Sequence, residues 1–177
     1  MTKVVILSGN HLCHNPRVLK EADALCEHGF EVVVLGAVIS EPLSKRDIAL
    51  MKNRQWSFIP VINLDSSKIR NIILRLRKKI GKVLLNKINI ETSWMLGYAT
   101  PELLSIALNH KADLYIAHSE QAMWVANRLM KRGFNVGIDM EDWYSEDLTA
   151  EAREKRPLKL LKTLESNLLA SCKHVTQ

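Results

Sequence analysis

Apolar positions along the 177-residue chain switch repeatedly between two periods. Lys3 to Ser8 is a β-branched apolar run of the length of a buried strand. Asn15-Pro16 follows, an N-cap with proline at the first helical position. Val18, Leu19, Ala22, Leu25 and Cys26 then recur at helical spacing, and Gly29 stands where a left-handed residue would close that helix. Glu31 to Leu35 reads as a second strand. This strand–helix–strand unit predicts two adjacent parallel strands joined by a right-handed crossover.

Ser40 to Gln55 is polar and carries no clear period. Trp56 to Ile62 predicts a third strand, which Pro60 assigns to a sheet edge or a strand end. Ser66 or Ser67 can cap a long helix running to about Ile88, and Thr100-Pro101-Glu102 starts another that ends near His110. Asp113 to Ala117 predicts a fourth strand, and Ser119 caps a helix that Gly133 closes. Asn135 to Met140 predicts a fifth strand, Pro157 to Ser171 a last helix, and His174-Val175-Thr176 a sixth strand. The expected fold is an α/β, doubly wound Rossmann-like single domain over residues 1–177, with a mostly parallel sheet of about six strands and helices on both faces. Ligands in such sheets sit beyond the carboxyl ends of the strands. Function is therefore sought in Gly9–Asn15, from Gly36 onward, in His118–Gln121 and in Glu141–Glu146.

Composition narrows the class. The chain is 47% hydrophobic and 25% charged, an ordinary globular mix that excludes a disordered or fibrous chain. The longest apolar stretch, Val32 to Ile39, is far short of the ~20 residues of a spanning helix. The N-terminus lacks the pattern of a signal peptide, and the sparse, odd set Cys13, Cys26 and Cys172 is expected to be thiols in a reducing cytoplasm. The net charge of +6 is unevenly distributed. Lys68, Arg70, Arg75, Arg77, Lys78, Lys79, Lys82 and Lys87 fall between Ser66 and Ile90 without one acid, and the remainder carries 17 basic against 19 acidic residues.

The loop Ser8 to Arg17 precedes a helix N-terminus, where free N–H groups attract anions and hydroxyl oxygens. It is neither a dinucleotide fingerprint nor a P-loop, having only Gly9 where three glycines are needed. His11, Cys13 and His14 lack the second ligand pair of a zinc site, so no metal is expected. His118, with Ser119 and Glu120, stands at the end of the fourth strand, where a histidine can titrate near neutrality or simply bond a carbonyl. Five acids crowd Asp139 to Asp147; they can do acid–base work or simply attend a helix N-terminus.

In the basic segment Ile69, Ile72, Ile73, Leu76, Ile80, Val83, Leu84 and Ile88 form a stripe at intervals of three and four, with Lys and Arg on the other face. Such a helix suits an anionic membrane surface, or it docks its stripe on the sheet and leaves the charges solvated. Nucleic acid is not expected, because aromatics do not interleave with the charges.

Asn15-Pro16-Arg17-Val18-Leu19-Lys20-Glu21-Ala22-Asp23-Ala24-Leu25 and Gly29-Phe30-Glu31-Val32 resemble the first βαβ of family 4 glycosyltransferases of the GT-B fold. Asp113 to Ser119 resembles their D-x-I-H-x-H strand end, Gly137 to Glu146 their Y-D-x-H-E-x-Y-S-E segment, and Glu165 to Thr176 their run into V-I-T-V-S. The motifs span nearly the whole chain in the family's order. The resemblance implies the N-terminal, acceptor-binding half of a retaining enzyme. Such an enzyme moves a sugar from a nucleotide-sugar to a glycan or lipid-linked acceptor in cell-envelope polysaccharide synthesis. The C-terminal nucleotide-sugar domain and its Glu-x7-Glu pair are not part of these residues, so the fragment alone is expected to be inactive. Glu146 and Glu154 have that spacing but lie in the wrong half.

The resemblance further implies His118 as catalytic residue beside the transferred sugar, and a loop for acceptor and donor phosphate at Gly9, Asn10, His11, Asn15 and Arg17. Ser119, Glu120, Glu141 and Asp142 form the expected cleft rim. Lys68, Arg70, Arg75, Arg77, Lys78, Lys79 and Lys82 are expected to face a membrane. The nucleotide-diphosphate-sugar is a substrate, and no cofactor or metal is implied. The expected location is the cytoplasm, peripheral at the inner membrane face. Two departures stand out: the paired glycine of the loop is Gly9 alone, and the histidine of the fifth-strand motif is Glu141. The alternatives are a stand-alone Rossmann-like nucleotide-binding module, against which the missing glycine fingerprint counts, and a flavodoxin-type receiver domain. The latter would want an acidic pocket where this chain has Ser8-Gly9-Asn10.

Overall fold

A computed structural model describes residues 1–64 and 68–176. Its sheet comprises β1 (Lys3–Leu7), β2 (Glu31–Val38), β3 (Ser57–Asn63), β4 (Leu114–Ala117), β5 (Val136–Asp139) and β6 (His174–Thr176). All pairings are parallel, in the order β3-β2-β1-β4-β5-β6. Strand order reverses between β1 and β4, which creates the crevice used by doubly wound folds. The helices are α1 (Pro16–Glu27), α2 (Glu41–Met51), α3 (Lys68–Ile88), α4 (Thr100–His110), α5 (Glu120–Met130), α6 (Ala150–Arg153) and α7 (Leu158–Ser171), with 3₁₀ turns at Leu12–His14 and Ser93–Met95.

Strands buried on both faces need apolar residues at every position, and the period of two deals them alternately into two cores. Val4, Ile6, Val32 and Val34 pack with Val18 and Ala22 of α1. Val5, Leu7, Val33 and Leu35 pack on the other face with Leu103 of α4, Ala122 and Met123 of α5, and Leu161 and Leu164 of α7. The expected caps are present where they can be described: Asn15 Oδ1 accepts from Val18 N at 3.2 Å, and Gly29 and Gly133 have φ of +83° and +85°. The helix cap expected at Ser66 or Ser67 lies outside the described residues. Pro60 lies, as its chemistry requires, in the edge strand β3.

The sequence leaves two elements open. The unpatterned stretch after β2 forms α2, whose sole buried residue is Asp47. A helix attached by a polar anchor leaves no apolar period to read. α3 is the second. It meets the domain through buried Leu74 and Gly81, the latter seated against Thr92 and Met95. Its apolar stripe faces away: Ile69, Ile72 and Leu76 are 74%, 64% and 52% exposed, and Ile73, Ile80 and Val83 are exposed as well. Among the described residues no helix is long and apolar enough to cross a membrane, and Cys13, Cys26 and Cys172 are free thiols.

Candidate active site

The ends of β1 and β4 meet at the crevice. The ladder continues one residue past β4, with His118 N donating to Leu7 O at 2.9 Å. The next residue, Ser119, has φ +151° and ψ 164°, a conformation almost confined to glycine. Its hydroxyl restrains it, donating to Ser8 O at 2.8 Å and accepting from Ala122 N at 3.3 Å to cap α5. The β1 loop is thereby tied to the start of α5. Ser8 N and Gly9 N donate to Leu35 O, and Ala37 N donates to Asn10 O, which binds the loop to β2.

A cavity of about 360 Å³ opens beyond these strand ends. Gly9, Asn10, His14 and Asn15 line it from the β1 loop, His118, Ser119, Glu120 and Gln121 from the β4 end, and Glu141, Asp142 and Tyr144 from the segment after β5. Lys78 of α3 and Leu96–Ala99 close the opposite side. The size is that of a small-ligand site.

His118 sits at the floor with 0% exposure. Its Nε2 is 2.5 Å from Glu21 Oε2, and its Nδ1 faces Asp139 Oδ2 at 3.2 Å and Glu141 Oε1 at 3.3 Å. Asp139 in turn receives both arms of Arg17, at 2.9 and 2.5 Å. Burial opposes a charged imidazole, but hydrogen bonds to Glu141 and Glu21 and the nearby Asp139 overcome it, raising the pKa from 6.5 to about 9. His118 is therefore an imidazolium at neutral pH, with a carboxylate on each side. It can donate hydrogen bonds and stabilise negative charge, but it has no lone pair with which to take a proton. Burial and the charges of Glu141 and Asp142 push the Tyr144 phenol above its ordinary range, so it too stays protonated. His118, Asp139 and Glu141 bring three potential metal-ligating atoms within 4.8 Å of one another. In this structure those atoms meet Arg17 and the ring protons of His118.

Not every expected residue is at this cavity. Gly9, Asn10, Asn15, Ser119, Glu120, Glu141 and Asp142 line it with His118. His11 does not: it is 2% exposed, its Nδ1 lies 2.5 Å from Asp47 Oδ2, and its Nε2 accepts from Ile39 N and Ser40 N at 2.8 and 3.2 Å. It fastens the β1 loop to β2 and α2. Arg17 acts on Asp139 rather than on the cavity. Two expected membrane-facing residues turn inward: Arg77 pairs with Glu102 at 2.6 Å, and Lys78 lies 4.6 Å from the centre of the Tyr98 ring; Arg70 is exposed, with its guanidinium donating to Val61 O at 3.3 Å. Lys68, Arg75, Lys79 and Lys82 are exposed. Glu21 and Tyr98 had no signal as site residues, and Gln121 had only its place in the His118–Gln121 segment after β4. Glu21 sits inside an ordinary amphipathic helix, and only the packing of α1 across β4 brings it to His118.

No family model matches the sequence, and no curated protein matches it. Among solved structures, Acinetobacter baumannii MurG aligns at 14% identity with a TM-score of 0.51, over 99% of this chain and 40% of that one. The glycosyltransferase SsfS6 of Streptomyces sp. SF2575 aligns at 15% identity and 0.49, over 95% of this chain and 46% of that one. The glycosyltransferase VinC, in complex with dTDP, aligns at 15% and 0.47, over 94% and 44%. The fold is that of a Rossmann-like half-domain of a GT-B glycosyltransferase. The chain spans less than half the length of each of these proteins.

Proposed function

We propose that this chain is the acceptor-binding half of a retaining glycosyltransferase of the family 4 type, transferring a hexose from a nucleotide-sugar to a glycan or lipid-linked acceptor in cell-envelope polysaccharide synthesis. The observation that carries the reading is the polar cavity at the β1–β4 reversal, floored by an imidazolium and rimmed by carboxylates. Carboxylates and amides there match the hydroxyls of a sugar. His118 supports negative charge that develops as a sugar leaves its phosphate, and its lack of a lone pair argues against its acting as the base of an inverting displacement. A second domain supplies most of the contacts to the nucleotide, so these residues alone are inactive.

Calorimetry with uridine, guanosine and adenosine diphospho-glucose tests this, alongside saturation-transfer NMR with octyl glucoside. The expected result is no micromolar donor binding, together with glucoside contacts that Glu141→Gln weakens. Micromolar nucleotide-sugar binding by this chain would favour the stand-alone nucleotide module instead.

The outward apolar stripe of α3 supports a peripheral location on an anionic membrane, with Lys68, Arg75, Lys79 and Lys82 beside the stripe. Each basic residue near such a surface contributes about 1 kcal/mol, and salt screens that attraction. In co-sedimentation, anionic vesicles should retain the protein better than neutral ones, and Ile72→Ser/Leu76→Ser should release it. Equal sedimentation with both vesicle types would overturn the membrane role.

A further inference from the structure

We infer that the part of the cavity where its α3 side meets the start of α5 is a subsite for a phosphate group on a hydroxylated ligand, with Lys78 binding the phosphate and Gln121 Oε1 accepting from a hydroxyl. The inference rests on the acceptor-binding reading of the same cavity and specifies the acceptor's chemistry.

Two polar groups there lack the partners their burial calls for. Lys78 lines the cavity with its ammonium over the Tyr98 ring. Among the described residues no carboxylate lies within ion-pairing distance of it. Burial, and to a lesser degree Lys82, lower its pKa, so its charge is held without an anion. A phosphate at this subsite would supply that anion. Gln121 is the other group. It is 5% exposed, its Nε2 donates to Gly9 O at 2.6 Å, and its Oε1 has no hydrogen-bond partner. A buried acceptor left unmade costs ~1–3 kcal/mol, so a donor from a ligand is the natural complement.

The chain makes room for this amide from two directions. A Cβ at Gly9, where φ is +69°, would stand 2.4 Å from Gln121 Nε2, and one at Gly97 would stand 2.2 Å from Gln121 Oε1. Gly97, Tyr98 and Ala99 lead into α4, and Gln121 lies in the first turn of α5, so two helix N-termini border the same subsite. Their dipoles favour an anion. Across the cavity two carboxylates are already engaged, Glu120 by Arg156 and Glu141 by His118, and Asp142 adds a third acid to that side. The ligand's charge is thereby directed to Lys78 and its hydroxyls to the acidic side.

NMR of the chain labelled with ¹³Cε-lysine tests this, with the Lys78 signal assigned by its absence in Lys78→Met. The probes are glucose, inorganic phosphate, glucose 1-phosphate and octyl phosphate. The Lys78 signal should move with a phosphate ester. Binding should weaken at least tenfold in Lys78→Met and by less than about threefold in Lys78→Arg. Lys131→Met, at the exposed C-terminal end of α5, removes the same charge and should bind as the parent does. Preference for glucose 1-phosphate identifies a sugar-borne phosphate, and preference for octyl phosphate a lipid-borne one; either supports the subsite. No phosphate binding, or equal binding by the parent and Lys78→Met, overturns it. If glucose still binds in that case, the acceptor-binding reading stands without the phosphate; if no sugar binds at all, that reading fails too.

Discussion

His11 and His118 are both buried, and each has a carboxylate oxygen 2.5 Å from one ring nitrogen. The second nitrogen separates them. In His11 it accepts from the backbone N–H groups of Ile39 and Ser40, so Nε2 offers a lone pair and Nδ1 carries the one ring proton, donated to Asp47. Asp47 also accepts from Cys13 N at 2.9 Å. Every polar atom of that cluster is committed to the chain itself, and it opens onto no part of the strand-end cavity. In His118 the second nitrogen meets further carboxylates, so the ring is charged, and the cluster forms the floor of that cavity. A carboxylate beside a buried histidine thus does not mark a site. What marks one is a charge balance that the fold leaves facing a space.

The largest expected effect belongs to the structural histidine. Asp47→Ala removes the anchor of α2 and strands a ring N–H and a backbone N–H at ~1–3 kcal/mol each, which together should cost about 3–5 kcal/mol. Urea unfolding measures it. A loss below about 1 kcal/mol would mean that His11 is not a fastening.

The charged histidine predicts a pH dependence next in size. Its folded-state pKa of about 9 lies above the 6.5 of an unfolded histidine. Its stabilisation is therefore complete below pH 6.5 and is lost as the pH rises through 9. The loss is of order 3 kcal/mol, and His118→Gln should flatten it. Unfolding midpoints at pH 6 and pH 9.5 show whether it does, and an equal pH dependence in both proteins would remove the distinction between the two histidines.

Glu21→Gln sharpens the comparison at one atom. Losing the nearest carboxylate should lower the His118 pKa by about one unit or more, read by ¹⁵N NMR of the ring. An unmoved pKa would assign the charge to Asp139 and Glu141 alone.

The smallest effect is expected at Ser119. Glycine relieves its φ of +151° but loses the hydroxyl cap of α5. The two terms oppose each other, each about 1 kcal/mol in size, so Ser119→Gly should unfold within about 1 kcal/mol of the parent. Ser119→Ala, which keeps the strain and loses the cap, should be the less stable of the two.

The strands, most helices and their order were legible in the sequence, because doubly buried strands and amphipathic helices carry their burial in local periods. Asn15-Pro16, Ser119, Gly29 and Gly133 marked boundaries through backbone chemistry that needs no distant partner. The rim was legible as far as topology reaches: a parallel sheet with its reversal between β1 and β4 brings Gly9, Asn10, His118 and Glu141 to one end. Tertiary structure alone decided the rest. Glu21, at the middle of α1, meets His118 97 residues away. His11, which looked like a ligand-loop residue, turned instead to an aspartate of a helix that has no apolar period. The stripe of α3 announced an amphipathic helix but not which way it faces, since either orientation satisfies the same pattern. Lys78, one cation in a run of eight, was set apart by helix rotation, which carries it inward over Tyr98 while Lys79 stays in solvent. Local periodicity records how much of each residue is buried; which charge it then faces depends on packing between segments far apart in the chain.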